Sequence, residues 1–198
     1  MTSLPSMEGN YATALELIDK AHSDDPNKIP APDASGTTIP YELHYARKMT
    51  RWLALRSPTA PPVLQLACRA QHFRRPGYLT WRAKLKAQAA NQVAELLASP
   101  QVEPPIPQEQ IDRVAALIRK ENLSKDEETQ ILEDVACLVF LDDQFDDFER
   151  KPEIDEAKII SILQKTWVKM SAKGQELALQ MDLSDRAKSL IGKALEGA

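Results

Sequence analysis

The spacing of apolar residues is the feature that most restricts the fold of this chain. In NYATALELIDKA (10–21), apolar side chains recur at intervals of three and four residues, which places them on one face of a helix. The same spacing continues along the chain, and no stretch of strand length alternates apolar with polar residues. Residues 1–198 are therefore predicted to form a single all-α globular domain of about eight helices.

Proline-rich segments and capping residues set the predicted boundaries. Residues 22–39 are rich in Pro, Asp and Ser and are predicted to form a loop, and residues 99–108 a stiff, proline-rich connector. Ser124 and Glu127 have the spacing of a capping box, so a helix is predicted from there to about Arg150.

Three further helices have a predicted start or end. Pro61 opens a helix that is predicted to run to about Arg75, because a proline fits the first turn of a helix. Gly174 is predicted to cap the end of a helix that starts after Pro152. Ser184 is predicted to cap the start of the last helix.

Composition indicates a soluble cytosolic protein. The longest apolar block, VACLVFL (135–141), is too short to span a membrane and is predicted to be the buried part of a central helix. The first residues lack the pattern of a signal peptide. Cys68 and Cys137 are too few for a disulfide framework or a thiolate metal site. A cytoplasmic location without membrane association is expected.

Charge is distributed unevenly along the chain, although the net charge is only −4. Leu43 to Ala94 contains ten Lys or Arg and no acid, whereas Glu121 to Glu156 contains fourteen acids and three basic residues. Two surfaces that attract each other within the fold would explain this pattern, and so would a basic wall for an anionic small-molecule ligand. A net-acidic chain is a poor candidate for binding nucleic acid, so RNA binding is the last-ranked alternative.

Short nucleotide-binding and catalytic signatures are absent. The sequence contains no phosphate-binding glycine loop, no dinucleotide fingerprint, no G-x-S-x-G and no H-E-x-x-H. KMSAK (169–173) resembles the KMSKS loop of class I aminoacyl-tRNA synthetases, but the strands and the HIGH-like motif of those enzymes are missing. A chance match is the better explanation. The acidic string DDQFDDF (142–148) is predicted to be a solvated helix face.

Four side chains are candidates for metal chemistry. His44 and His72 lie in the second and third predicted helices, and imidazole with carboxylate suits Fe, Mn, Ni or Zn. Glu133 and Asp134 precede the VACLVFL block, where an ionised carboxylate must be paired or bind a cation. The alternatives are a salt bridge from these acids to an arginine, and simple hydrogen bonding for each histidine.

Arginines around His72 are candidates for binding an anion. A guanidinium binds phosphate through two parallel N–H groups, where lysine acts only as a point charge. Two aromatic residues nearby would stack on a base or fill core space. The residues are Arg69, Arg74, Arg75 and Arg82, with the aromatic Tyr78 and Trp81.

Five motifs carry a resemblance to a known family. They are YELHYARKMTRWL, LQLACRAQH, PGYLTWRAKL, LEDVACLVFLDDQF and KTWVKMSAKG. With these motifs the chain resembles domain-of-unknown-function family 4202, which occurs in bacteria and fungi and some of whose members carry a glutamyl-tRNA synthetase label. The likeness covers nearly the whole chain.

That family is similar to the all-α HD superfamily of metal-dependent phosphohydrolases. The resemblance implies a divalent metal held by His72, Asp134 and, as a weaker candidate, His44. Glu133 would then take a proton from the metal-bound water, and the arginines would neutralise a phosphorylated small molecule or nucleotide. Phe73, however, stands where the HD pattern has its paired Asp. The alternative is therefore a non-catalytic helical module that binds a ligand or a protein and has lost the metal site.

Overall fold

The computed structural model describes residues 3–31, 36–73, 82–149 and 155–196, without the side chains of residues 82–84, 147 and 149. The all-α prediction is confirmed. The helices are α1 (Gly9–Ser23), α2 (Tyr41–Arg56), α3 (Pro62–Arg69), α4 (Arg82–Leu97), α5 (Gln108–Arg119), α6 (Glu127–Val139), a π-helical turn (Phe140–Gln144), α7 (Phe145–Glu149), α8 (Glu156–Lys169), α9 (Ala172–Leu179) and α10 (Asp185–Glu196). None of these described helices is long and apolar enough to cross a membrane.

Two short strands lie in the stretch of residues 22–39 that the sequence predicted to be a loop, the second extending one residue beyond it. They are β1 (Lys28–Pro30) and β2 (Thr38–Pro40), which pair antiparallel with Ile29 opposite Ile39. Three residues are too few for an alternating pattern to stand out, which is why the sequence did not reveal them. The chain divides into two compact units, residues 1–132 and 133–198.

The first unit is built around α1, α3 and α5. Helix α1 packs against α2, α3 and α4, and α5 packs against α3 and α4. Helix α3 is the most buried of these, because five of its eight residues, from Leu64 to Cys68, are buried. Burial raises the pKa of the Cys68 thiol well above its usual range, so this cysteine is an inert core residue.

Helix α3 ends at Arg69, earlier than the predicted end at Arg75. The chain turns at once, with the Gln71 N–H donating to the Cys68 carbonyl and the Phe73 N–H donating to the Ala70 carbonyl. Phe73 is only 2% exposed, and this burial favours the turn over another helical turn. His72 therefore lies in the turn of residues 70–73 and not on the helix.

Helix α6 is capped by Asp126, and not by the predicted Ser124. The Thr129 N–H donates to Asp126 Oδ1 at 3.0 Å, which is the contact of an N-cap side chain. Arg113 of α5 also binds both oxygens of Asp126, at 2.5 and 2.9 Å. A carboxylate with a guanidinium partner stabilises this helix start more strongly than a serine hydroxyl two residues earlier.

Loss of the Arg113 ion pair should destabilise the chain in a pH-dependent way. The guanidinium lowers the pKa of Asp126 from 3.8 to about 2. Because the pKa of Asp126 is lower in the folded chain than in the unfolded chain, its ionised carboxylate stabilises the folded state above about pH 4. This contribution to the free energy of unfolding disappears as the pH falls toward about 2. Arg113→Met should therefore cost about 1–2 kcal/mol in urea unfolding at pH 7 and almost nothing at pH 2.

Arg119→Met is the matched control on the same helix. Arg119 pairs with Glu121, two residues away on the surface, so its loss should cost less than about 0.5 kcal/mol at either pH. An equal cost for Arg113→Met at pH 7 and pH 2 would contradict the role given to Asp126.

In the second unit, α8 and α10 each start at a side chain that accepts a hydrogen bond from the backbone N–H three residues later. Asp155 caps α8 by accepting from the Lys158 N–H at 2.8 Å. The predicted cap at Ser184 is confirmed, because Ser184 Oγ accepts from the Ala187 N–H at 3.2 Å. Helices α8 and α10 pack together. Lys193 and Arg186 of α10 both bind Glu156 of α8, and they lower the pKa of its carboxyl group.

The π-helical turn joins α6 to α7 without a break in the helical backbone. A π turn contains one residue more than an α-helical turn. The ring of Phe140 meets the rings of Phe145 and Phe148 edge to face, with centroid distances of 6.1 and 5.8 Å. In the acidic string, Asp146 is exposed while Asp142 and Asp143 are only partly exposed, so the predicted solvated face holds for part of the string.

Candidate functional site

Asp134 is a fully buried carboxylate on α6, with 0% of its surface exposed. The Ser171 backbone N–H donates to Oδ1 at 2.7 Å, and the Ser171 hydroxyl donates to Oδ2 at 2.5 Å. Each carboxylate oxygen therefore has a donor from the same residue. The negative charge also lies at the start of α9, where the helix dipole is positive. These contacts give Asp134 a structural role in joining α6 to α9.

The KMSAK segment (169–173) contains the break between two helices. Helix α8 ends at Lys169, and Met170 is extended at φ −78° and ψ 144°. Ser171 then caps α9, because its Oγ accepts from the Gly174 N–H at 3.2 Å. The same hydroxyl thus caps one helix and donates to the Asp134 carboxylate. This arrangement accounts for the segment without any nucleotide chemistry.

Gly174 lies inside α9, so the prediction that it caps the end of a helix was wrong. A Cβ atom on Gly174 would lie 2.8 Å from both Cγ and Oδ1 of Asp134. No real Cβ atom tolerates such distances, so a side chain here would displace the carboxylate. The physical reason for the glycine is the close approach of α9 to Asp134.

Glu133, the neighbour of Asp134, is 6% exposed. The Lys169 ammonium lies 4.0 Å from its Oε1. A lysine in the same unit is thus an ionic partner of Glu133, where the sequence suggested an arginine. Its role as a general base stays a prediction.

The two candidate histidine ligands belong to the first unit. His44 is buried on α2, with 9% of its surface exposed. The ring of His72 stacks on Tyr45, the next residue of α2, with a centroid distance of 3.8 Å and an interplanar angle of 9°. Among the described residues, no group of three or more His, Cys, Asp or Glu side chains has an arrangement that would hold a metal ion.

Arg69 holds a carboxylate of the chain itself. Its Nε and Nη2 donate to the two oxygens of Asp19, both at 2.7 Å, and its Nη1 donates to Thr50 Oγ1 at 2.8 Å. This bidentate pair ties α1 to α3, and it uses the fork of donors that the sequence assigned to a phosphate. Arg69 is therefore a structural residue in this conformation.

The structure does not describe the side chains of the other predicted anion-binding residues. Arg74, Arg75, Tyr78 and Trp81 lie outside the described residues. Arg82 is the first residue of α4, and its side chain lies outside the description.

His22 is a buried polar residue that the sequence did not single out. It is 0% exposed, with Nε2 3.0 Å from the Arg69 carbonyl oxygen and Nδ1 3.1 Å from Glu42 Oε2. Its ring also meets the ring of Phe73 at a centroid distance of 5.5 Å. The signal was present, because Ala14, Ile18 and His22 follow one another at four-residue intervals on the buried face of α1.

Comparison with known proteins identifies one family. The model of a family described as a domain of unknown function (DUF4202) matches residues 12–191. No curated protein and no solved structure gives a significant match. The matched range includes LEDVACLVFLDDQF and KTWVKMSAKG, the two motifs that contain Asp134 and Ser171.

Proposed function

This chain belongs to the DUF4202 family, and we propose that it is a helical module that binds an anionic small molecule without hydrolysing it. The all-α framework provides buried polar contacts that hold the helices together. The anion would bind on the basic part of the first unit, near Tyr45 and His72.

The environment of Asp134 is the observation that carries this proposal. A carboxylate that binds a divalent metal must direct lone pairs at the cation. Both oxygens of Asp134 already accept hydrogen bonds from Ser171, at 2.7 and 2.5 Å, in a site without solvent exposure. A metal would have to reach a site without solvent exposure and share a carboxylate whose charge Ser171 and the start of α9 already stabilise. The contacts therefore support a structural acid and weigh against the metal-dependent phosphohydrolase.

The expected ligand class follows from the charge around the His72–Tyr45 stack. The span from Leu43 to Ala94 has ten basic residues and no acid, and this excess of positive charge favours an anionic ligand even though Asp19, from outside the span, neutralises Arg69. Lys48 follows Tyr45 by three residues and so lies on the same side of α2. The half-buried His72 ring lies flat on Tyr45, so the stacking fixes the plane of its two ring nitrogens.

Binding of pyrophosphate tests the proposal directly. Pyrophosphate should raise the melting temperature of the wild-type chain, and titration calorimetry should give saturable binding. Lys48→Gln should weaken binding about tenfold, because a hydrogen bond to a charged group contributes about 1.5 kcal/mol or more. Lys165→Gln, at an exposed lysine of the second unit, should leave the affinity unchanged. Equal affinities for the two variants, or no binding of pyrophosphate at millimolar concentration, would contradict the proposal.

A parallel experiment separates this module from a hydrolase. The purified chain should retain less than about a tenth of an equivalent of Mn, Fe, Ni or Zn after incubation and dialysis, because Asp134 acts as a structural acid in this proposal and not as a metal ligand. It should also leave p-nitrophenyl phosphate intact. Near-stoichiometric metal that is lost in His72→Ala, together with turnover, would instead establish the phosphohydrolase.

A further inference from the structure

We infer that the anion bound near Tyr45 and His72 carries a flat aromatic ring, and that this ring stacks on the imidazole of His72. The inference rests on the proposed function, because it names the organic part of the ligand whose charge the basic residues bind. The expected ligand class is a phosphate ester of a planar aromatic ring, as opposed to an inorganic or an aliphatic phosphate.

The stack of His72 on Tyr45 is the contact that carries this inference. The ring centroids lie 3.8 Å apart with an interplanar angle of 9°, so the two rings are almost parallel. Tyr45 belongs to α2 and is only 3% exposed, whereas His72 is partly exposed. Tyr45 therefore covers one face of the imidazole from the protein side, and the exposed surface of this ring belongs to its opposite face and its edge.

The turn of residues 70–73 holds the imidazole in place before any ligand binds. His72 lies between Gln71 and Phe73, which are 5% and 2% exposed, so both of its neighbours are anchored in the first unit. The Phe73 N–H also donates to the Ala70 carbonyl at 3.1 Å. A ring that is already fixed loses little conformational entropy when a ligand packs on it. A planar ligand ring gains most from such a surface, because stacked aromatic rings attract each other beyond the area they bury.

Lys48 supplies a positive charge beside this surface. It follows Tyr45 by three residues on α2, so the two side chains leave the helix on the same side. Its flexible four-carbon stem is long enough to carry the ammonium to the level of a ring stacked on His72. A ligand that joins an aromatic ring to a phosphate therefore uses both features at once, the ring on His72 and the charge at Lys48.

Phenyl phosphate and methyl phosphate are a matched pair of probes, because they carry the same charge and differ only in the organic group. Titration calorimetry with the wild-type chain should give a dissociation constant about tenfold lower for phenyl phosphate, from the energy of one aromatic stack. Cyclohexyl phosphate has a puckered ring of similar size and should bind less tightly than phenyl phosphate. Equal affinities for phenyl and methyl phosphate, or for phenyl and cyclohexyl phosphate, would overturn the inference.

Three variants assign the preference for an aromatic ring to His72. His72→Leu replaces the flat ring by an aliphatic side chain and should abolish the preference for phenyl over methyl phosphate. His72→Phe keeps a flat ring and should retain the preference. Lys48→Gln should weaken the binding of both ligands to a similar extent and leave the ratio of their affinities unchanged, because it removes charge and not the ring. An undiminished preference in His72→Leu would contradict stacking on this residue.

Proton spectra of the ligand test the same contact without any substitution. The ring current of the imidazole should shift the aromatic protons of phenyl phosphate upfield as the wild-type chain is added, and the absence of this shift at saturation would overturn the inference. Failure of every phosphate, including pyrophosphate, to bind would contradict the proposed function itself. Binding of pyrophosphate without any preference for phenyl over methyl phosphate would contradict this inference alone, so the two failures are distinguishable.

Discussion

The Asp134→Ala variant is expected to lose about 3 kcal/mol of the free energy of unfolding. The change removes two charge-assisted hydrogen bonds, and it leaves the Ser171 N–H and hydroxyl without the acceptors they have in the wild type. A buried donor without an acceptor costs about 1–3 kcal/mol, so the two losses together reach the expected value. Chemical denaturation followed by far-ultraviolet circular dichroism at pH 7 measures the difference.

Two further variants show whether the loss comes from the contact with Ser171. Ser171→Ala removes the hydroxyl alone and should cost less, and the Asp134→Ala and Ser171→Ala double variant should cost less than the sum of the two. Asp182→Ala changes a fully exposed acid of the same unit and should cost less than about 0.5 kcal/mol. Strict additivity of the Asp134 and Ser171 changes would show that the two residues act independently.

Gly174→Ala is expected to destabilise the chain by about 2 kcal/mol, although alanine is the better helix former. The new Cβ would lie 2.8 Å from the Cγ and Oδ1 atoms of Asp134. The carboxylate has nowhere to shift without breaking its bonds to Ser171. Overpacking of this kind costs about 1–3 kcal/mol, which exceeds the helix-propensity gain of alanine.

Gly192→Ala provides the matched control in α10. A Cβ on Gly192 would meet no heavy atom within 4 Å, so the same substitution should stabilise the chain by about 0.5–1 kcal/mol. The two glycine changes should therefore have opposite signs in the same denaturation experiment. Stabilisation by both would mean that α9 does not approach Asp134 closely in solution.

Local signals in the sequence were sufficient to predict much of the helical framework. Ser184 was predicted as a cap from its position before an apolar pattern, and its hydroxyl does accept from the Ala187 N–H. Ser124 was a wrong prediction, since the actual cap is Asp126, which accepts from the Thr129 N–H three residues on and also binds Arg113 of another helix. Local spacing alone offered both residues as caps, and the ion pair with Arg113 is the contact that it does not predict.

The contacts of the candidate site depended on residues far apart in sequence. The sequence indicated that Asp134 is buried and needs a partner, but that partner, Ser171, lies 37 residues further along the chain. Gly174 was assigned to a helix end for the same reason, since its role depends on the Asp134 carboxylate. His22 and Arg69 take partners from α2 and α1, and no periodic pattern predicts which polar groups will meet.

The π-helical turn changes how the chain after it is oriented. In an uninterrupted α-helix, residues five apart point about 140° away from each other around the axis, since each residue advances about 100°. Phe140 and Phe145 are five apart and yet their rings touch. The extra residue therefore shifts the phase of the helix so that Phe145 lies on the same side as Phe140. A helical wheel drawn at constant pitch would misplace Phe145 by about one position, so the direction in which this aromatic residue faces depends on the length of the π-helical turn.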